Sequence, residues 1–133
     1  MEWFDKSDPD TPLKAHILSD GTLRFICLAV LLLQPFELMP DTIIIDEPEL
    51  GLHPAALKLL SEFIKRVSTQ KQLILSSQSV ELINYFKPED IIVVDRINNE
   101  SVFKRLSSKE LSVWLDEYSI GDIWKGNIIG GRP

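Results

Sequence analysis

The sequence predicts an α/β fold in which a mainly parallel sheet is flanked by helices. Short apolar strands alternate with segments of helical periodicity along most of the chain, which is typical of parallel sheets. In the clearest case, the apolar run Thr42–Ile45 ends in the adjacent carboxylates Asp46 and Glu47, and Pro54 then begins a helix. We therefore expect polar residues at the carboxyl ends of strands to form a ligand site.

The first half of the chain contains the most buried predicted elements. Residues 3–10 are predicted to be short and irregular, and Leu13–Leu18 is predicted as a brief strand or an extended entry. Ser19 is a natural N-cap, and the apolar side chains up to Leu33 predict a strongly buried helix that ends before Pro35. After a loop, Thr42–Ile45 is predicted as a fully buried strand.

The second half continues the alternation. An amphipathic helix over Pro54–Ser68 is predicted to bury the stripe Ala55, Leu59, Phe63 and Val67. The later elements are, in order, a strand over Gln72–Ser76, a short helix over Ser79–Phe86, strands over Ile91–Asp95 and Ser101–Leu106, and a helix from Ser108 to about Tyr118. Asparagine tolerates positive φ, so the Asn-Asn pair between the last two strands predicts a hairpin at one edge of the sheet.

Composition predicts one globular domain over residues 1–133, with segments 1–12 and 119–133 peripheral. Apolar residues make up 44% of the chain and charged residues 26%. Cys27, the single cysteine, lies in the apolar helix and is expected to be a buried, inert thiol in a reducing compartment. The longest apolar run is about half of the roughly 20 residues that a membrane span needs, so we expect a cytoplasmic protein without membrane contact.

The charge balance argues against a broad nucleic-acid surface on this chain. The chain has twenty acidic side chains and 14 lysines and arginines, which gives a net charge of −6.

The two adjacent carboxylates after the central strand predict a candidate metal site. Because the backbone turns where a strand ends, Asp46 and Glu47 can both reach one ligand, with one holding Mg²⁺ and the other orienting a water. The alternative is an ordinary acidic turn before Pro48.

Two segments resemble motifs of one protein family. Ile43–Pro54 resembles the Walker B strand and D-loop of ATP-binding-cassette (ABC) type ATPase heads, the group that includes SMC and RecF-like proteins. Leu18–Phe25 resembles the signature motif of AAA-type bacterial ATPases in the RecF-like branch. The resemblance implies the C-terminal half of a P-loop NTPase head, which binds and hydrolyses ATP with Mg²⁺ and dimerises around the nucleotide.

The resemblance also implies a role for individual residues. Asp46 would help to hold Mg²⁺, and Glu47 would activate the attacking water. Ser19, Gly21 and Thr22 would contact the nucleotide held by the other subunit. On the alternative interpretation, Ser19 simply caps a core helix.

Two further positions have both a functional and a structural interpretation. Gln78 follows a strand where such heads usually have a histidine; an amide can donate to phosphate and accept from water but cannot take up a proton. Alternatively, Gln78 belongs to a polar turn before a helix. His53, at the D-loop position, would contact the partner subunit or its nucleotide, or would simply mark the entry of a helix.

No Gly-x-x-x-x-Gly-Lys-Ser/Thr sequence occurs in the 133 residues, so the Walker A loop is missing. We therefore expect a C-terminal lobe without ATP turnover of its own, which forms a homodimer or pairs with a Walker A-containing lobe. Nucleic acid would be contacted only through regions absent from this chain. Residues 114–124 and 130–133 resemble the C-terminus of the same branch, so we expect the natural C-terminus.

Two other classes of function stay open. The chain would serve as a non-catalytic dimerisation or regulatory module if it pairs with complete heads without contributing to catalysis. It would be an unrelated metal-binding α/β domain if Asp46 and Glu47 bind a metal ion without nucleotide.

Overall fold

A computed structural model of the chain describes residues 2–5, 8–14 and 18–131. The chain divides into two compact units, residues 1–75 and residues 76–133. The described strands form three two-stranded sheets, one of them parallel, with helices between them. The predicted α/β class is confirmed, and the single-domain organisation stays a prediction.

An N-terminal hairpin replaces the irregular segment that the sequence predicts. Strand β1 (Glu2–Asp5) pairs antiparallel with strand β2 (Asp8–Lys14), and the register shifts between Phe4 and Asp5. The prediction of an irregular segment was wrong because prolines at positions 9 and 12 argued against a strand. A two-stranded sheet consists of edge strands only, and edge strands tolerate proline. The possible strand over Leu13–Leu18 is therefore the end of β2, and residues 15–17 lie outside the described residues.

Helix α1 (Asp20–Leu33) begins where the sequence predicts. Ser19 is its N-cap, and the Ser19 hydroxyl accepts a hydrogen bond from the Thr22 N–H at 3.2 Å. The prediction of strong burial was wrong: only Leu28 and Leu32 are buried, and the thiol of Cys27 is exposed. Apolar side chains surround α1 on all sides, but unit 1 covers only one side of the helix.

A strand, a helix and a second strand form the centre of unit 1. They are β3 (Thr42–Asp46), α2 (Pro54–Ser68) and β4 (Gln72–Ser76). The Asp41 carbonyl accepts a hydrogen bond from the Gln72 N–H at 2.9 Å, so the amino ends of β3 and β4 lie side by side and the strands run parallel. The Lys71 ammonium donates to the Asp41 carboxylate at 2.9 Å, and this hydrogen bond lowers the pKa of Asp41.

Helix α2 buries a different stripe from the predicted one. Of the predicted residues, Val67 is buried, whereas Ala55 and Leu59 are exposed. The buried side chains are Leu57, Leu60, Ser61, Ile64 and Val67. Positions four residues apart drift around a helix of 3.6 residues per turn, so a row chosen by i+4 spacing leaves the buried face.

Helices α1 and α2 pack against each other. The rings of Phe25 and Phe63 lie 6.1 Å apart between centroids, and Arg66 donates a hydrogen bond to the Leu32 carbonyl at 2.9 Å. The Arg66 guanidinium also lies 4.5 Å from the centre of the Phe36 ring. These contacts hold α1 against α2.

Unit 2 contains the predicted hairpin and shorter helices than expected. Its elements are α3 (Val80–Ile83), β5 (Ile92–Ile97), β6 (Glu100–Arg105), α4 (Ser112–Leu115) and α5 (Ile120–Lys125). Asn98 and Asn99, with φ of 52° and 70°, form the two-residue turn between β5 and β6. Ser79 caps α3 as predicted. Instead of the long helix expected from Ser108 to about Tyr118, the chain forms only the four-residue α4. Helix α5 was not predicted.

Segment 119–133, predicted to be peripheral, contributes to the core of unit 2. A reciprocal capping box between Ser119 and Asp122 begins α5, and the Ser119 hydrogen bonds lower the pKa of Asp122. The Trp124 ring is buried, and its indole N–H donates to the Gly131 carbonyl. The buried side chains of this core are Val93, Leu106, Leu111, Ile123, Trp124 and Ile129. In the described part of the chain, no helix is long and apolar enough to cross a membrane.

The packing of α5 on α3 predicts that Gly121→Ala destabilises the protein. A Cβ at position 121 would lie 2.6 Å from Val80 Cγ1 and 2.7 Å from the Val80 carbonyl oxygen. We expect a loss of about 1 to 3 kcal/mol in the free energy of unfolding, measured by urea denaturation. Gly126→Ala is the control, because its nearest neighbour would lie at 3.4 Å. Equal stabilities of the two variants would contradict the tight packing.

Candidate functional site

The segment after β3 reverses the chain in a tight pair of turns. The Leu50 N–H donates to the Glu47 carbonyl at 3.3 Å, and the Leu52 N–H donates to the Glu49 carbonyl at 3.0 Å. Gly51 has φ of 75°, which glycine adopts without strain. Glu47 has φ of 43°, which is uncommon for a residue with a side chain. The turns deliver the chain to the first residue of α2.

The two carboxylates lie where the sequence predicts them. Asp46 is exposed as the last residue of β3, and Glu47 is half-buried as the next residue. Among the described residues, no group of three His, Cys, Asp or Glu side chains is arranged to hold a metal ion. Magnesium in phosphate sites needs one or two carboxylates, because phosphate and water supply the other ligands. The pair fits that role, whereas Asp46, Glu47 and His53 do not form a metal site by themselves.

The first turn of α1 lies directly against the turns after β3. A Cβ at position 21 would overlap the Gly51 carbonyl oxygen and lie 2.9 Å from its carbon, so the two glycine backbones are in contact. One helical turn further along α1, the Arg24 guanidinium donates to the Glu47 carbonyl at 3.1 Å. The signature-like and Walker B-like segments are thus neighbours in unit 1.

These segments enclose a small open cavity of about 180 Å³. The lining residues are Ser19, Gly21, Thr22, Phe25, Gly51, Leu52, His53 and Ala56. Four of them were predicted as site residues from the sequence, namely Ser19, Gly21, Thr22 and His53. Among the residues that the structure describes, no lysine or arginine lines the cavity. An anion bound here would need its positive countercharge from elsewhere.

The N-terminus of α1 supplies the polar groups of the cavity. Ser19 Oγ and Thr22 Oγ1 are 2.8 Å apart and share a hydrogen bond. The first N–H groups of a helix have no carbonyl partner within the helix, and with the helix dipole they favour an anion. Among the described residues, Asp20 and Arg24 of α1 form no ion pair with each other.

His53 marks the entry of α2, as the structural interpretation predicts, and its contact with a partner subunit or nucleotide stays a prediction. It is the N-cap of α2, where its Nδ1 accepts a hydrogen bond from the Ala55 N–H at 3.2 Å, and it also lines the cavity. Sequence analysis identified Pro54 as the start of the helix but not His53 as its cap, because Ser, Thr, Asp and Asn are the usual caps.

Gln78 lies in unit 2, two residues after the end of β4, and is exposed. It precedes Ser79, whose hydroxyl caps α3 by accepting from the Leu82 N–H at 3.0 Å. The Ser77 hydroxyl in turn accepts from the Ser79 N–H at 3.0 Å. The polar-turn interpretation is therefore correct for the neighbouring serines, and the role of Gln78 toward phosphate stays a prediction.

Sequence analysis missed several residues around the cavity. Phe25, Gly51, Leu52 and Ala56 line it. Gly51 had a usable signal, since a glycine in the D-loop-like segment often permits close backbone approach. Phe25 and Ala56 had no such signal in the sequence, because the pattern of an apolar residue on a helix is the same whether its side chain faces a core or a cavity.

Comparison with known proteins assigns the chain to a family. Residues 3–84 match the family model described as "AAA domain, putative AbiEii toxin, Type IV TA system". The match spans both the signature-like segment and the Walker B-like segment. The chain belongs to this AAA domain family.

One curated relative and two solved structures agree with this assignment. A "Putative ABC transporter ATP-binding protein" of Methanosarcina acetivorans is 28% identical over 79 residues, which are 59% of this chain and 27% of the relative. The chain thus spans about a quarter of that relative's length.

The solved structures show the fold. One, from work on "ATP-driven dimerization and DNA stimulated activation of SMC ATPases", has a TM-score of 0.60 at 20% identity, over 83% of this chain and 68% of its own. The other, an "SmcHead bound to the C-winged helix domain of ScpA", has a TM-score of 0.65 at 19% identity, over 80% and 32%. The chain has the fold of an ABC- and SMC-like P-loop ATPase lobe.

The contact between Gly21 and Gly51 predicts that Gly21→Ala separates α1 from the turns after β3. A methyl group cannot occupy the position of the Gly51 carbonyl, so we expect a loss of about 1 to 3 kcal/mol in the free energy of unfolding, measured by thermal and urea denaturation. Asp20→Asn is the control, since the adjacent Asp20 is exposed. A Gly21→Ala protein as stable as the control would show that the two segments are not in contact.

Proposed function

We propose that this chain is the signature and Walker B lobe of a head that binds and hydrolyses ATP with Mg²⁺. In the complete protein, the lobe supplies Asp46 and Glu47 to one nucleotide and the first turn of α1 to the nucleotide of a second subunit. The observation that carries this proposal is the single cavity shared by Ser19, Gly21, Thr22 and the D-loop-like turn.

The chemistry of the cavity supports a phosphate ligand. It offers two hydroxyls and a helix N-terminus, which suit anionic oxygens. None of its described lining residues is cationic, which agrees with a site that receives its lysine and loop N–H groups from a Walker A motif outside this chain. His53 stands at the rim of this site as the D-loop contact with the partner subunit or its nucleotide.

Three side chains at or after the ends of the parallel strands have proposed roles: Asp46, Glu47 and Gln78. Asp46 would hold Mg²⁺ directly or through a water, and the bound ion would supply positive charge to the phosphates. Glu47 orients the attacking water and accepts its proton. For Gln78, in unit 2, the proposed role is a hydrogen bond from its side-chain amide to phosphate, and this amide cannot take up a proton.

The outer face of the parallel sheet supports pairing with a further lobe. Parallel strands are usually covered on both faces. Ile44 of β3 is nevertheless 74% exposed and Ile74 of β4 is 49% exposed, and Val30 and Leu33 of α1 are exposed as well. The fully buried β3 predicted from the sequence was thus wrong for this chain. We infer that the Walker A-containing lobe covers this apolar surface in the complete protein.

The proposal includes a homodimer that closes around nucleotide and opens after hydrolysis. The solved structure whose description names ATP-driven dimerisation has the same fold, which is why we favour this arrangement. Any contact with nucleic acid is assigned to other regions, given the net charge of −6. We place the protein in the cytoplasm.

The role of Glu47 predicts a selective loss of turnover. In the complete protein, Glu47→Gln should lower ATP hydrolysis at least a hundredfold, since general-base catalysis contributes about 10² to 10⁴ in rate. Nucleotide affinity and ATP-dependent dimerisation, followed by light scattering, should remain. Glu49→Gln is the matched control two residues away. The 133-residue chain alone should show no turnover, and magnesium-dependent hydrolysis by it would contradict the need for Walker A.

The exposure of Ile44 in β3 predicts that its substitution destabilises the complete protein more than the 133-residue chain. Ile44→Ser should change the free energy of unfolding of the 133-residue chain little, because the side chain is 74% exposed. In the complete protein it should cost about 1.5 to 3 kcal/mol if the other lobe buries it. Leu38→Ser is the matched control, at 71% exposure outside the strands. Equal effects of Ile44→Ser in both proteins would exclude the covering lobe.

A further inference from the structure

We propose that Arg24 is a positioning residue for Glu47, and that it holds the backbone of Glu47 in the conformation from which the carboxylate reaches the water. This inference deepens the proposed function and rests on it for the role of the carboxylate. The contact itself is a property of unit 1 alone: the Arg24 guanidinium donates to the Glu47 carbonyl at 3.1 Å across 23 residues of sequence.

The backbone of Glu47 needs such support. Its φ of 43° lies in the left-handed region, which disfavours residues with a Cβ and persists only where surrounding contacts impose it. The Glu47 carbonyl is the acceptor of two donors, the Leu50 N–H within the turn and the Arg24 guanidinium from α1. The turn contact is long, at 3.3 Å, so the charge-assisted contact from Arg24 is the stronger restraint.

The backbone conformation of Glu47 limits where its carboxylate can reach. The carbonyl and the side chain branch from the same Cα, so a change in φ or ψ at Glu47 swings the side chain as well. A displacement of about 1 Å in a catalytic group can lower a rate by about a hundredfold. Arg24 therefore acts on the reaction through Glu47 and does not touch the substrate.

The same contact links the two halves of the cavity. Arg24 lies five residues after Ser19 on α1, and the backbones of Gly21 and Gly51 touch between them. A surface arginine without this role would be expected to pair with Asp20, four residues earlier on the helix. The structure instead directs Arg24 to the carbonyl.

Amide hydrogen exchange of the 133-residue chain tests the contact without nucleotide. Loss of a hydrogen bond worth about 1 kcal/mol should accelerate exchange of the Leu50 amide about fivefold in Arg24→Ala. Arg24→Lys, which keeps a cationic donor, should accelerate it less. Arg66→Ala is the matched control, since it removes another arginine-to-carbonyl contact in the same unit, and the Lys71 amide is the internal reference. An unchanged Leu50 rate in Arg24→Ala overturns the proposal.

Turnover by the complete protein tests the consequence. Arg24→Ala should lower kcat about tenfold or more while KM and nucleotide affinity stay within twofold, and Arg24→Lys should restore part of kcat. Wild-type kcat in Arg24→Ala, with Glu47→Gln inactive, overturns the positioning role. If the complete protein shows no ATP turnover, the proposed function fails, and the Leu50 exchange rate alone then decides whether Arg24 restrains Glu47.

Discussion

The close approach of two glycines is the constraint on which the candidate site depends. Gly21 in the first turn of α1 and Gly51 in the turn before α2 lie in backbone contact, and no other residue type would fit at position 21. This contact brings the serine-capped helix start and the segment after β3 to one cavity. Without it, the motif-like segments would be separate features of an ordinary α/β lobe.

Around that contact, the local structure favours phosphate chemistry. Two turns place Glu47, Gly51 and His53 in succession, and His53 caps the helix that follows. The parallel arrangement of β3 and β4 sends both carboxyl ends in one direction, which is where α/β proteins place their ligands. Apolar side chains of these strands and of α1 are exposed in this chain.

The motif-like segments and the family match point to the same class of fold, that of an ABC- and SMC-like P-loop ATPase lobe. The family model covers residues 3–84, which contain the whole candidate cavity, whereas the solved structures resemble the fold over most of the chain. The chain spans about a quarter of its curated relative. Residues 76–133 form a compact unit with a core of their own, to which Trp124 and Ile129 of the C-terminal segment contribute.

The sequence by itself determined the elements whose signals are local: the Ser19 cap, the start of α2 at Pro54, the strand before Asp46 and the Asn98-Asn99 turn. Capping, proline geometry and left-handed asparagine act within a few residues, so they can be read without a fold. Only the tertiary structure decided which face of α2 is buried, that Ile44 and Cys27 are exposed, that Gly21 meets Gly51, and that Arg24 reaches Glu47. These depend on which distant segments pack together, and hydrophobic periodicity carries no information about the partner.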